Sequence, residues 1–150
     1  VIATSATINS GEYERTIKGI DKNIRVVNTA CPLFVPLVEE GWFQGPVTEG
    51  AAKIYLKGVM RAKVDVLILG CTHYPLLKSV IQKIVGPKVY LVDSAKEIAN
   101  NVKELLGVMG IANVKSHRGQ QKFFVSDKPQ HFKKLAKRFL GCDIKNITKV

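Results

Sequence analysis

From Val1 to Gly110, short apolar runs alternate with stretches in which apolar residues recur at helical spacing. Val1–Thr4 reads as a strand, and the small polar stretch Thr4–Thr7 as a turn at its end. Ser10 is placed to cap a helix running to Ile20, because Tyr13, Ile17 and Ile20 fall on one face. Asp21–Asn23 breaks that helix, and Ile24–Asn28 is the next expected strand. Cys31-Pro32 turns the chain into a short apolar helix that contains Pro36 and ends near Gly41. Gly45-Pro46 opens another helix, reaching about Ala62. Pro46 suits its first turn, and Val47, Ala51, Ile54 and Gly58 share a face.

Val64–Leu69 is an apolar, β-branched run bounded by Gly70 and Pro75, which predicts a parallel strand buried on both faces. A helix over Leu76–Val85 follows and stops at Gly86-Pro87. Lys88–Val92 is a further strand, and Ser94 with Glu97 forms a capping-box pair for a helix ending between Gly107 and Gly110. Four strand–helix alternations, each with a crossover long enough for a βαβ unit, predict an α/β fold: a doubly wound parallel sheet over residues 1–112. Beyond that point Lys122–Ser126 reads as a strand, Asp127 as an N-cap, and Pro129–Leu140 as a helix closed by Gly141 and followed by a polar tail. One strand and one helix cannot close a core. Residues 113–150 are therefore expected to dock on the first sheet or to complete another domain.

Composition narrows this little: 46% hydrophobic and 23% charged over 150 residues suits a globular chain with a sizeable core. No apolar run approaches the roughly 20 residues that span a bilayer, and no basic-then-apolar leader is visible. The three cysteines, Cys31, Cys71 and Cys142, are widely spaced, which argues against a disulfide scaffold or structural zinc site and for a reducing cytoplasm. Val1-Ile-Ala-Thr4 reads as a strand already under way, with no initiator methionine, so a piece of a longer protein is expected.

The net charge of +11 raises nucleic acid as a partner. Arg118, Lys122, Lys128, Lys133, Lys134, Lys137, Arg138, Lys145 and Lys149 stand against only Asp127 and Asp143 after Ser116. Yet Phe132, Leu135, Ala136 and Phe139 lie at helical spacing, so these lysines read as the solvated face of a packed helix. No nucleic-acid motif appears, and that reading is set below an enzymatic one. His117 and His131 have no evident partner and are assigned to the surface.

Chemistry concentrates at the end of the Val64–Leu69 run, where Gly70 is followed by Cys71, Thr72 and His73. Ligands in open α/β sheets sit outside the carboxyl ends of the strands. A thiol there can act as a base or nucleophile once a neighbouring imidazole loosens its proton. A cysteine after a core strand can equally be packing, since free cysteines are among the most buried residues.

The string Leu69-Gly70-Cys71-Thr72-His73-Tyr74-Pro75-Leu76-Leu77 resembles the second catalytic-cysteine segment of glutamate racemases, a group within the Asp/Glu racemase superfamily. Other blocks resemble the family in the same order: Ile2–Ser10 the threonine-rich segment that opens its second domain, Ala30–Glu39 the block with a functional glutamate, and Phe123–Asp127 with Phe132 and Phe139-Leu-Gly141 its return into the first domain. The resemblance implies two similar α/β domains with the active site between them. This chain is then the second domain plus the return segment. The first domain, with the other catalytic cysteine, would lie upstream, and neither Cys31 nor Cys142 matches that cysteine's context.

Racemisation without a cofactor needs two groups flanking Cα, one basic and one acidic, and thiols with a pKa of about 8.5 suit both roles. By resemblance, Cys71 is one of these groups, His73 tunes or relays its proton, and Glu39 orients or balances the histidine. Thr72, Thr4 and Thr7 would bind the substrate carboxylate. No metal and no cofactor are implied. The implied reaction converts L-glutamate to D-glutamate for bacterial peptidoglycan in the cytoplasm, with a homodimer as the usual assembly. Related aspartate and hydantoin racemases share the two-cysteine scheme; His73-Tyr74-Pro75 favours the glutamate type.

Overall fold

Short β-branched runs and amphipathic helices bury their apolar sides together only when the helices lie on a sheet. The computed structural model, which describes residues 1–114 and 119–150, does so within a first compact unit, Val1–Leu105. Strands β1 (Ile2–Ala3), β2 (Thr29–Ala30), β3 (Val66–Leu69) and β4 (Tyr90–Asp93) form a parallel sheet in the order β2-β1-β3-β4. Helices α1 (Ser5–Ser10) and α2 (Glu12–Ile20) join β1 to β2. Helices α3 (Phe34–Glu40) and α4 (Pro46–Arg61) join β2 to β3, and α5 (Lys78–Val85) joins β3 to β4.

Alternation along β3 shows the winding. Leu67 and Leu69 are buried in one cluster with Phe34 and Val38 of α3, Leu56 and Val59 of α4, and Ile81 of α5. Val66 and Ile68 face the other way and, with Ile17 and Ile20 of α2, line a cavity of about 540 Å³. The sheet is wound on both faces, but unequally. Val66 is 45% exposed, so the expectation of a strand covered on both sides holds for one side only. The reason lies in α2, which has no buried residue of its own.

Several sequence readings shift. Thr4–Thr7 is not a turn: Thr4 caps the short helix α1, its hydroxyl accepting from the Thr7 N–H at 3.4 Å. The strand expected at Ile24–Asn28 is seen at Thr29–Ala30, where Ile2 pairs with Thr29 and Ala3 with Ala30, and the Val1 nitrogen donates to the Val27 carbonyl at 2.7 Å. In α4 the buried stripe is Thr48, Ala52, Leu56 and Val59, one position round from the expected face, leaving Val47 and Ile54 exposed. On the observed stripe Val59 stands where the expected face has only Gly58, and the Thr48 hydroxyl donates to the Trp42 carbonyl at 2.8 Å. Asp93 rather than Ser94 caps α6 (Ser94–Val108), its Oδ1 accepting from Ala95 and Lys96 N–H at 3.1 and 3.4 Å.

The second unit is Leu106–Val150. There β5 (Phe123–Val125) pairs in parallel with β6 (Ile147–Lys149), and α7 (Pro129–Leu140) connects them. The expected polar tail thus holds a strand. Asp127 does not cap α7: Lys128 takes that position with φ 43°, and Asp127 faces Lys149 at 3.8 Å. Phe132 packs on Phe123, and Ala136 is buried on the same helix. Ser116, His117 and Arg118 lie outside the described residues. Among the described residues no helix is long and apolar enough to cross a membrane.

Candidate active site

In a parallel sheet of order 2-1-3-4, the chain passes from β1 to β2 on one side and then back past β1 to β3 on the other, and the crevice between β1 and β3 is the topological switch point. Ile2 pairs with Leu69, and the Gly70 N–H donates to the Ile2 carbonyl at 2.8 Å. Continuing that register sets Thr4 and Cys71 at the mouth of the crevice. Gly70 is required by the close approach: a Cβ there would meet the Tyr13 ring at 3.0 Å, the Ile2 carbonyl oxygen at 3.1 Å and the Ala3 Cβ at 3.2 Å. A carbonyl fixed in a sheet cannot give way, so the strand carries no side chain just before its thiol.

After Gly70 the chain turns, the Tyr74 N–H donating to the Cys71 carbonyl at 3.1 Å, and enters a single 3-10 turn at Tyr74–Leu77. This turn holds Cys71 and His73 on one side. Cys71 Sγ lies 4.0 Å from His73 Nδ1, and the Thr72 hydroxyl lies 3.3 Å from the same nitrogen. His73 Nε2 lies 3.5 Å from Glu39 Oε1 near the end of α3. A carboxylate only accepts, so in the neutral ring the proton belongs on Nε2. Nδ1 is then left with its lone pair toward the thiol and the Thr72 hydroxyl. The line Cys71–His73–Glu39 brings a thiol, an imidazole and a carboxylate into sequence, an order of groups that can activate a thiol.

Four of the six expected residues, Cys71, Thr72, His73 and Glu39, are thus joined side chain to side chain. Thr4 and Thr7 form their own pair, hydroxyl oxygens 3.0 Å apart, and connect to the others through the β1–β3 pairing. The Thr4 hydroxyl already serves α1 as a cap. Cys71 is partly exposed, whereas Cys31 is fully buried. Burial pushes the Cys31 thiol up from 9.0 to about 12. Its raised pKa keeps the thiol neutral in the fold, so the contribution of Cys31 to stability is whole below about pH 9 and is lost as pH rises toward about 12. Urea midpoints between pH 8 and 11 are expected to fall, and Cys31→Ala should flatten that slope. Among the described residues, no three His, Cys, Asp or Glu side chains gather closely enough to hold a metal ion.

Sequence reasoning missed Tyr74 and Gly70. A glycine ending a strand pattern is a signal of close backbone approach and could have marked Gly70. Nothing local marks Tyr74, whose hydroxyl reaches the Cys31 carbonyl, 43 residues away, at 2.9 Å.

The chain is 47% identical over all 150 of its residues to the glutamate racemase of Geobacter metallireducens, and 43% identical over the same span to that of Syntrophus aciditrophicus. Over its whole length the chain is similar to glutamate racemases. It spans about half the length of these relatives, 56% of each. Among solved structures, glutamate racemase of Francisella tularensis in complex with D-glutamate superposes with a TM-score of 0.90 at 36% identity, covering 99% of this chain and 56% of that one. The RacE1 isoform of Bacillus anthracis also gives a TM-score of 0.90, at 33% identity. No protein-family model matches the chain. The α/β fold with its parallel sheet therefore matches that of solved glutamate racemases over roughly half of their chains.

Proposed function

We propose that this chain is the portion of a glutamate racemase that bears one of two catalytic thiols, Cys71, and that the reaction needs no cofactor. The observation that carries the reading is the Cys71–His73–Glu39 line at the open end of β3. In the proposed step, Cys71 as thiolate takes the α-proton from one face of glutamate, and a second thiol delivers a proton to the other face. In the reverse direction the roles exchange. His73 Nδ1 accepts the Cys71 proton when the thiol must become a base, and Glu39 balances the charge that results. Thr72, Thr4 and Thr7 hold the substrate carboxylate through hydroxyl and backbone N–H donors.

Glutamate as the substrate is supported by the D-glutamate bound to the Francisella tularensis relative. The second thiol belongs to a first domain that residues 113–150 would complete, residues 1–112 forming the domain described by the sheet. The D-glutamate made would feed bacterial peptidoglycan synthesis in the cytoplasm, by an enzyme assembled as a homodimer.

A direct test joins this chain to the remaining half of the Geobacter metallireducens relative and assays L-to-D conversion by chiral chromatography. The 150-residue chain alone is expected to produce no D-glutamate, and the folded chimera is expected to produce it. Conversion by the chain alone would overturn the two-thiol reading. A folded chimera turning over aspartate but not glutamate would overturn the substrate.

A further inference from the structure

We propose that Tyr74 is a positioning residue for the Cys71–His73 pair, its hydroxyl and ring fixing the loop after β3 against the start of α3 so that His73 meets Glu39 near that helix's other end. This rests on the reading of Cys71 and His73 just given.

Tyr74 is fully buried. Its hydroxyl donates to the Cys31 carbonyl at 2.9 Å, and its ring meets Phe34 edge to face, centroids 5.1 Å apart at 81°. Phe34 is the first residue of α3 and meets Tyr55 of α4 in the same way, at 5.5 Å and 84°. Glu39 lies five residues along α3 from Phe34, about 7.5 Å of helix rise. The loop and the helix are thus joined at two points: Tyr74 holds the helix start, and His73, the adjacent residue, meets Glu39 at 3.5 Å. A contact at the outer limit of a hydrogen bond is sensitive to small tilts of the helix that carries its partner. Burial also raises the Tyr74 phenol above its ordinary value, so it remains a donor.

The Cys31 carbonyl accepts from the Phe34 N–H as well, at 3.1 Å. Tyr74→Phe therefore keeps the ring packing and leaves that carbonyl with a partner, so the variant should fold. In the 150-residue chain, two-dimensional nitrogen spectra of the His73 imidazole report which ring nitrogen carries the proton. Wild type is expected to show the Nε2–H form, and Tyr74→Phe a mixture, with Glu39→Gln as the positive control. In the reconstituted enzyme Tyr74→Phe is expected to lower kcat about 10-fold, as a small misplacement of a catalytic group does, with KM within about twofold. Imidazole signals that superimpose on wild type would overturn the proposal, as would an unchanged kcat. An inactive wild-type chimera would reject the racemase reading, and the imidazole spectra would still decide whether Tyr74 sets the His73–Glu39 contact.

Discussion

Cys71→Ala in the reconstituted enzyme is expected to cut conversion of L-glutamate to D-glutamate by about 10²–10⁴-fold, the usual range for loss of a positioned acid–base group. The substitution removes the only thiol on this side of the proposed reaction. Its cost to folding should be small, because Cys71 is only partly buried and sits beyond the strand. Chiral assay of product, with circular dichroism to show the fold intact, checks the expectation. Exchange of the α-proton with deuterated water adds a sharper readout: from one enantiomer it should be lost together with racemisation. Retention of near-normal turnover by a folded Cys71→Ala chimera would remove Cys71 from the reaction.

The largest expected effect on stability comes from Phe34→Ala, about 3–5 kcal/mol, the range for truncating a buried aromatic ring. Phe34 is fully buried and lies between Tyr55 and Tyr74, so its loss leaves a hole that two stiff rings cannot fill. Typical domains hold only about 5–15 kcal/mol in reserve, so the variant should melt far below wild type. Urea denaturation followed at the far-ultraviolet helical signal measures it. A loss under about 1 kcal/mol would mean that the aromatic cluster is not what holds α3 to the sheet.

Much of this was legible in the chain. The run ending at Leu69 declares a strand, and the polar triplet after Gly70 marks a candidate site, because both signals depend on neighbours in sequence. Features set by distant partners were not legible. The buried stripe of α4 is decided by what Leu56 and Val59 meet across the core, so a periodicity count one position out looked equally good. Strand β6 is three residues long with only Ile147 partly buried, too short for an alternation signal, and it exists because β5 offers it a ladder. Asp93 outcompetes Ser94 as a cap because the helix starts at Ser94 itself, a boundary that spacing alone does not fix. The Cys71–His73 contact is local and was foreseen. The partner Glu39 came from resemblance, since no spacing rule links positions 34 residues apart.

Gly70 has a consequence for how such a pocket can be remodelled. With the neighbouring strand's carbonyl and the edge of Tyr13 both within touching range, the floor of the crevice is tight, and a side chain introduced there must displace a paired strand or the Tyr13 ring. Changes at this end of the sheet are therefore absorbed more readily at its rim, at Thr72 and at Ser5 and Ala6 of the short helix that begins after Thr4, whose side chains are exposed.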